Sequence, residues 1–154
     1  MNFKLGALTD RLLRGGGKVQ VNSDGSINLS QTFANGQSIN IKSLTELTTI
    51  AAAASTTTTI QMPANTIVLA VAVRVTTVIP TAATFTVGDS GNVARFNTAN
   101  VSVAANSTNV GTKAGAYANV SSTGILITPS APPIDNTGRV RVTIFYIDVT
   151  VPTS

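Results

Sequence analysis

The chain carries few groups that can do chemistry. It has no His, Cys or Trp, so acid–base and nucleophilic work would fall to Lys and to Asp10, Asp24, Glu46, Asp89, Asp135 and Asp148. A hydrolase needs a base or a nucleophile held beside a second group that activates it. No two of these acids stand at helical or strand spacing. Asp24, Asp89 and Asp135 adjoin Gly, Ser or Asn, the setting in which Asp bonds its own backbone in a turn. Zinc has no His or Cys to bind it. The run Asp89-Ser90-Gly91-Asn92 lacks the full ligand spacing of a calcium loop. Arg14-Gly15-Gly16-Gly17-Lys18 has the glycines and lysine of a phosphate loop, but not its first-Gly spacing or the Ser/Thr after Lys. The chain therefore reads as a non-enzyme with no cofactor, no metal and no small-molecule substrate.

One charge stands out. Arg95 lies between Ala94 and Phe96, a short way past the turn at Asp89. A structural pair, Asp89 with Arg95, closing a hairpin is the plainer reading, and contact with a ligand is the other. The Asn-x-Ser/Thr triplets at Asn100, Asn106 and Asn119 are read as products of a composition rich in all three residues.

The remaining charge is concentrated at the start. Residues 1–18 hold Lys4, Arg11, Arg14 and Lys18 against Asp10 alone, and the rest of the chain is nearly balanced within a net charge of +4. Leu5, Leu8 and Leu12 fall at helical spacing among these charges. Two turns of helix are marginal in water, so the segment is expected to order only against a partner. Gly15-Gly16-Gly17 gives it a hinge. Lys4, Leu5, Leu8, Arg11, Leu12, Arg14 and Lys18 are thus the candidate partner-binding arm. Without aromatic interleaving a nucleic acid is a poor match, and an acidic protein groove a better one. Met1–Arg14 has no continuous apolar core of a secretory signal, which implies synthesis in the cytoplasm. The longest apolar run, Ile67 to Ile79, is interrupted by Arg74 and too short for a membrane span.

The elements that must carry these residues are strands. Hydrophobic residues make up 43% of the chain and charged residues only 10%, against a usual charged share of about 25%. Thr supplies about one residue in six, and its β-branch suits a pleated surface. Alternating runs around Val19, Ile27 and Ile39, separated by Asp24-Gly25 and Asn35-Gly36, predict a three-stranded meander at about residues 18–42. Leu44, Leu47 and Ile50 suggest a helical turn in a connector that reaches about residue 54. Beyond it the strands expected are Thr56–Met62, Ile67–Ile79, Thr84–Val87, Ala94–Asn97, Ala116–Ser121, Gly124–Pro129 and Arg139–Val151. The fold class is all-β: an arm at 1–17, a meander and connector at 18–54, and a β-sandwich or jelly-roll-like body at 55–154.

Arg139–Val151 is apolar on both faces, with Val140, Val142, Ile144 and Tyr146 on one and Phe145, Ile147, Val149 and Val151 on the other. A strand of this kind must be buried twice. Either another subunit or the chain's own meander covers the second face. With so few charges to keep copies apart, Phe145, Ile147, Val149 and Val151 become the candidate oligomer interface, in a homotrimer.

The body also resembles a known family. Pro63-Ala64-Asn65-Thr66-Ile67-Val68, Val73-Arg74-Val75-Thr76-Thr77, Phe85-Thr86-Val87-Gly88-Asp89, Ala94-Arg95-Phe96 and Arg139-Val140-Arg141-Val142 with Phe145 together resemble a β-sandwich domain of tailed bacteriophages. That domain occurs at the tips of tail fibres and in small virion proteins. The resemblance spans roughly residues 55–152 and implies a structural virion protein, with no catalytic signature to carry over. Two settings stay open. A capsid cement (decoration) protein, bound to the major capsid protein or another virion protein through its arm, accounts for the small size and the basic arm. A tail-fibre or receptor-binding tip accounts for the body, but the chain has neither a repetitive shaft nor a coiled coil.

Overall fold

The computed structural model describes residues 17–21, 27–32, 37–97, 100–111 and 117–150, with the backbone alone at 17–19, 21, 27, 28, 31 and 32. The described residues contain no helix. In chain order the strands are β1 (Gly17–Val21), β2 (Ile27–Thr32), β3 (Ser38–Thr49), β4 (Thr56–Met62), β5 (Thr66–Thr77), β6 (Thr84–Gly88), β7 (Val101–Ser102), β8 (Thr108–Gly111), β9 (Tyr117–Asn119), β10 (Thr123–Pro129) and β11 (Arg139–Thr150). The chain forms two compact units, Met1–Lys42 with Ile147–Ser154 and Ser43–Tyr146. We call them the meander unit and the sandwich unit.

In the meander unit β1 pairs antiparallel with β2, and β2 with the start of β3. The start of β3 neighbours the end of β11. Ser38 donates to the Thr150 hydroxyl at 3.1 Å, and the Lys42 ammonium meets the Asp148 carboxylate at 2.7 Å. Both contacts lie on one side of the sheet, and alternation sends Ile39, Ile41, Ile147 and Val149 to the other. Leu29 stands directly across from Ile41 and shares that side.

The sandwich unit has two sheets, one in the order β3-β11-β5-β8 with β9 also on β5, the other in the order β4-β10-β6-β7. The pairing is nested: first strand with last (β3·β11), second with next-to-last (β4·β10), then β5 with β8 and β9, then β6 with β7. Counting β8 and β9 as two pieces of one strand, this is the eight-strand jelly roll. The inward sides of both sheets make the core. Val71, Val73, Val75, Val140, Val142 and Ile144 from one sheet meet Met62, Phe85, Val87, Ile125 and Ile127 from the other, all buried. Each such side chain contributes about 1.5–3 kcal/mol by leaving water.

Several expectations need correction. The suggested helical turn at Leu44, Leu47 and Ile50 is absent: Leu44 and Leu47 lie in β3 and Ile50 just beyond it. The β-branched Thr45, Thr48 and Thr49 suit a strand, and the Thr45 hydroxyl donates to the Val142 carbonyl at 3.1 Å. Ala94–Asn97 is a turn, because Asn side chains take up its backbone partners. Asn92 Oδ1 accepts from Ala94 N–H, and Asn97 Oδ1 accepts from Val87 N–H. In β5 the buried side changes part-way along the strand. Val68 and Ala70 are buried, then Val71, Val73 and Val75, so the burial phase flips between Ala70 and Val71 and leaves Leu69 exposed. β11 is not two-faced throughout: opposite Val140 and Val142 its outer side carries exposed Arg139 and Arg141.

Candidate functional site

A buried polar cluster of the sandwich unit sits on the turn between β6 and β7. Asp89 is 2% exposed. Its carboxylate accepts the N–H groups of Gly91 and Asn92, each at 2.9 Å. The Arg95 guanidinium completes the shell through Nε on one oxygen and Nη2 at 3.1 Å on the other. Burial pushes the Asp89 carboxyl up, but Arg95 and the two backbone donors outweigh it and hold it below the usual range. The hydrogen bonds that Arg95 donates to Asp89 in turn raise the pKa of Arg95. The guanidinium lies over the Tyr117 ring at 4.4 Å from its centroid, and Phe96 meets that ring edge-on at 6.0 Å.

The backbone is packed hard against this turn. A Cβ on Gly88 would lie 2.0 Å from the Asn92 carbonyl oxygen, and one on Gly111 would lie 1.2 Å from the Phe96 carbonyl oxygen. The cluster is a rigid corner in which a guanidinium already neutralises the buried carboxylate. Its chemistry is that of a clamp.

A second carboxylate does similar work. Glu46 on β3 accepts from Thr59 N–H at 2.9 Å, Ile60 N–H at 2.7 Å, and the Thr59 and Thr48 hydroxyls at 2.8 and 2.9 Å. Burial raises its pKa, and these four donors lower it further than burial raises it. Glu46 thereby staples β3 to β4. Asp135 accepts from the Thr137 hydroxyl and N–H, and its pKa is lowered by them.

No protein-family model matches the sequence, and no curated protein matches it. Solved structures to which the chain is similar include the capsid asymmetric unit of cyanophage Pam1, 23% identical, covering 86% of this chain and 86% of that chain at a TM-score of 0.47. Another is the acid-stable capsid of Helicobacter pylori bacteriophage KHP30, 15% identical, covering 71% of this chain and 96% of that chain at a TM-score of 0.43. The all-β, jelly-roll assignment rests on the strand order and pairing described above.

The residues singled out from the sequence fall in three places. Lys4, Leu5, Leu8, Arg11, Leu12, Arg14 and Val151 lie outside the described residues, and Lys18 is described by its backbone alone, paired with Ser30. Asp89 and Arg95 are brought together. Phe145 is exposed in the sandwich unit, while Val149 is exposed and Ile147 half-buried in the meander unit. The apolar side of the meander sheet holds Leu29 and Ile39, each 45% exposed, with Ile41 and Val149 of the expected interface exposed beside them. What sequence reasoning missed is the outer side of the β3-β11-β5-β8 sheet, which carries Arg74, Arg139 and Arg141. Tyr117 of the Arg95 cluster was missed as well, because no local spacing ties it to Arg95.

Proposed function

We propose that the chain is a structural protein of a tailed-bacteriophage particle, and within it a capsid cement protein. In this reading it assembles as a homotrimer through Ile147, Val149 and Val151, with Phe145 of the sandwich unit left out of that interface, and holds to the shell through the basic arm at residues 1–17. The observation that carries the reading is the exposed apolar side of the meander sheet, on a chain with only 10% charged residues. Such a surface calls for permanent cover. The jelly-roll body and the resemblance of residues 55–152 to virion sandwich domains favour the same setting. The second reading, a tail-fibre tip, draws on that body alone.

Copy number separates the two. Quantitative mass spectrometry of purified particles should find on the order of hundreds of copies for a cement protein, as icosahedral symmetry demands, and about ten or a few tens for a fibre tip. The arm is tested with Leu5, Leu8 and Leu12 changed to Ser in the full chain. Occupancy on particles should drop sharply while the purified protein keeps its oligomeric state. Full occupancy of that variant would remove the arm from the mechanism.

A further inference from the structure

We infer that the outer face of the β3-β11-β5-β8 sheet docks onto an acidic protein surface, with Arg74, Arg139 and Arg141 meeting carboxylates and Leu47, Val110 and Phe145 seated between them. This deepens the proposed function by naming the chemistry of the partner, and rests on it for where that partner is found.

Alternation places all six residues on one side. Arg139 and Arg141 flank core-facing Val140, and Arg74 stands between core-facing Val73 and Val75. β11 and β5 are neighbours in the sheet, and the Thr76 hydroxyl donates to the Arg139 carbonyl at 3.2 Å. The guanidinium-bearing strands therefore lie about 4.8 Å apart. Val110 sits across from Ala72 on β8 and is 65% exposed.

Among the described residues, none of the three arginines has a carboxylate partner. The described carboxylates of the sandwich unit are engaged elsewhere: Glu46 on Thr59 and Ile60, Asp89 on Arg95, and Asp135 on Thr137. Arg74 is held instead by a neutral amide. Its Nη2 donates to Asn106 Oδ1 at 2.8 Å. Asn106 sits at a φ of 69°, in a turn fixed by its own N–H on the Val75 carbonyl at 2.8 Å. Asn tolerates this left-handed geometry better than most residues. The hold orients the guanidinium and leaves its charge unspent.

The charge also says what does not dock here. A second copy of the same face would set arginine against arginine. The mix of Arg with Leu, Val and Phe, and the absence of Lys among the described residues of this face, is the composition of protein-binding surfaces. Arginine forks also suit carboxylates, which they grip in pairs.

The test uses the full-length protein and a sensor-tethered amphipathic peptide of Glu and Leu. A Gln/Leu counterpart and a duplex DNA serve as comparison probes. The intact protein should bind the Glu/Leu peptide, and the Gln/Leu peptide at least about tenfold more weakly. The triple variant R74Q/R139Q/R141Q should lose about tenfold in affinity, the sum of several partly exposed ion pairs. Phe145→Ser should lose a smaller share, and the arm variant K4Q/R11Q/R14Q should retain most of the binding. Unchanged melting of the variants shows that the face, and not the fold, was altered. Equal binding by the triple variant, no binding by the intact protein, or tighter arginine-dependent binding of the duplex would each overturn the inference. Because no particle enters the assay, its failure leaves the virion reading untouched, and a low copy number on particles would leave this face untouched.

Discussion

The meander unit and the sandwich unit are written in the same alphabet and solve opposite problems. Ile39 and Ile41 alternate with polar neighbours just as Val140 and Val142 do. Yet Ile39 is 45% exposed while Val140 and Val142 are fully buried. The sandwich turns the apolar side of one sheet against the apolar side of another and closes its own core. The meander has an apolar side of equal quality and leaves it uncovered. Alternation thus reports which side of a strand is apolar, and the topology decides whether anything lies against it.

The largest expected effect would break the sandwich side of this comparison. Gly111→Ala puts a methyl group into the Phe96 carbonyl, and we expect a loss of more than about 4 kcal/mol or failure to fold. Circular dichroism and thermal melting would show it. A variant melting like the parent would mean that the corner is looser than described.

Next comes the clamp. Asp89→Asn removes the charge that answers Arg95, whose side chain is only 16% exposed. The expected cost is about 2–3 kcal/mol in denaturant unfolding, less than for a fully buried pair. A separate double-mutant cycle of Arg95→Gln with Tyr117→Ala isolates the stacking contribution, about 0.5–1 kcal/mol.

A third test uses acid. Glu46 and Asp89 both have lowered folded-state pKa values. Their unfolded forms bind protons more readily, so the stability they confer is fully present above about pH 4 and is lost as pH falls through their lower folded values. Glu46→Gln should cost about 1 kcal/mol at neutral pH and flatten the stability profile below the carboxylate range. An unchanged acid slope would show that the staple contributes nothing.

The smallest effect on stability belongs to the meander side, and it sharpens the comparison most. Leu29→Ser with Ile41→Ser should change unfolding by less than about 0.5 kcal/mol, since both side chains are exposed. Self-association measured by light scattering should weaken. If these changes instead unfold the protein, the meander face is covered within the chain and the two units are alike after all.

Much of this was legible in advance. The strand Thr56–Met62 was bounded to the residue, because Ser55 and Pro63 punctuate it. The hairpin signals near Asp24-Gly25 and Asn35-Gly36 separated the first three strands. Two features were hidden for physical reasons. β7 and β8 are two and four residues long, too short to show a period, and exist because β6 and β5 offer them partners. The flip at Ala70 leaves no mark in an unbroken apolar run, where either phase looks acceptable. At the clamp, Asp89 and Arg95 were visible as a pair of types. Tyr117 was not, since pairing through β5 brings it near from beyond the next turn.

The nested pairing of the jelly roll also dictates a timetable. Thr45 meets Thr143 across a separation of 98 residues, so β3 has to wait for nearly the whole sandwich unit to be synthesised before its partner exists. Only the innermost pair, β6 with β7, can close early. Closure then proceeds outward, each step spanning a longer loop. High contact order of this kind slows folding toward milliseconds to seconds. During that interval the valine-rich β5 is bare on a ribosome-bound chain, where it is prone to pair with a neighbouring copy.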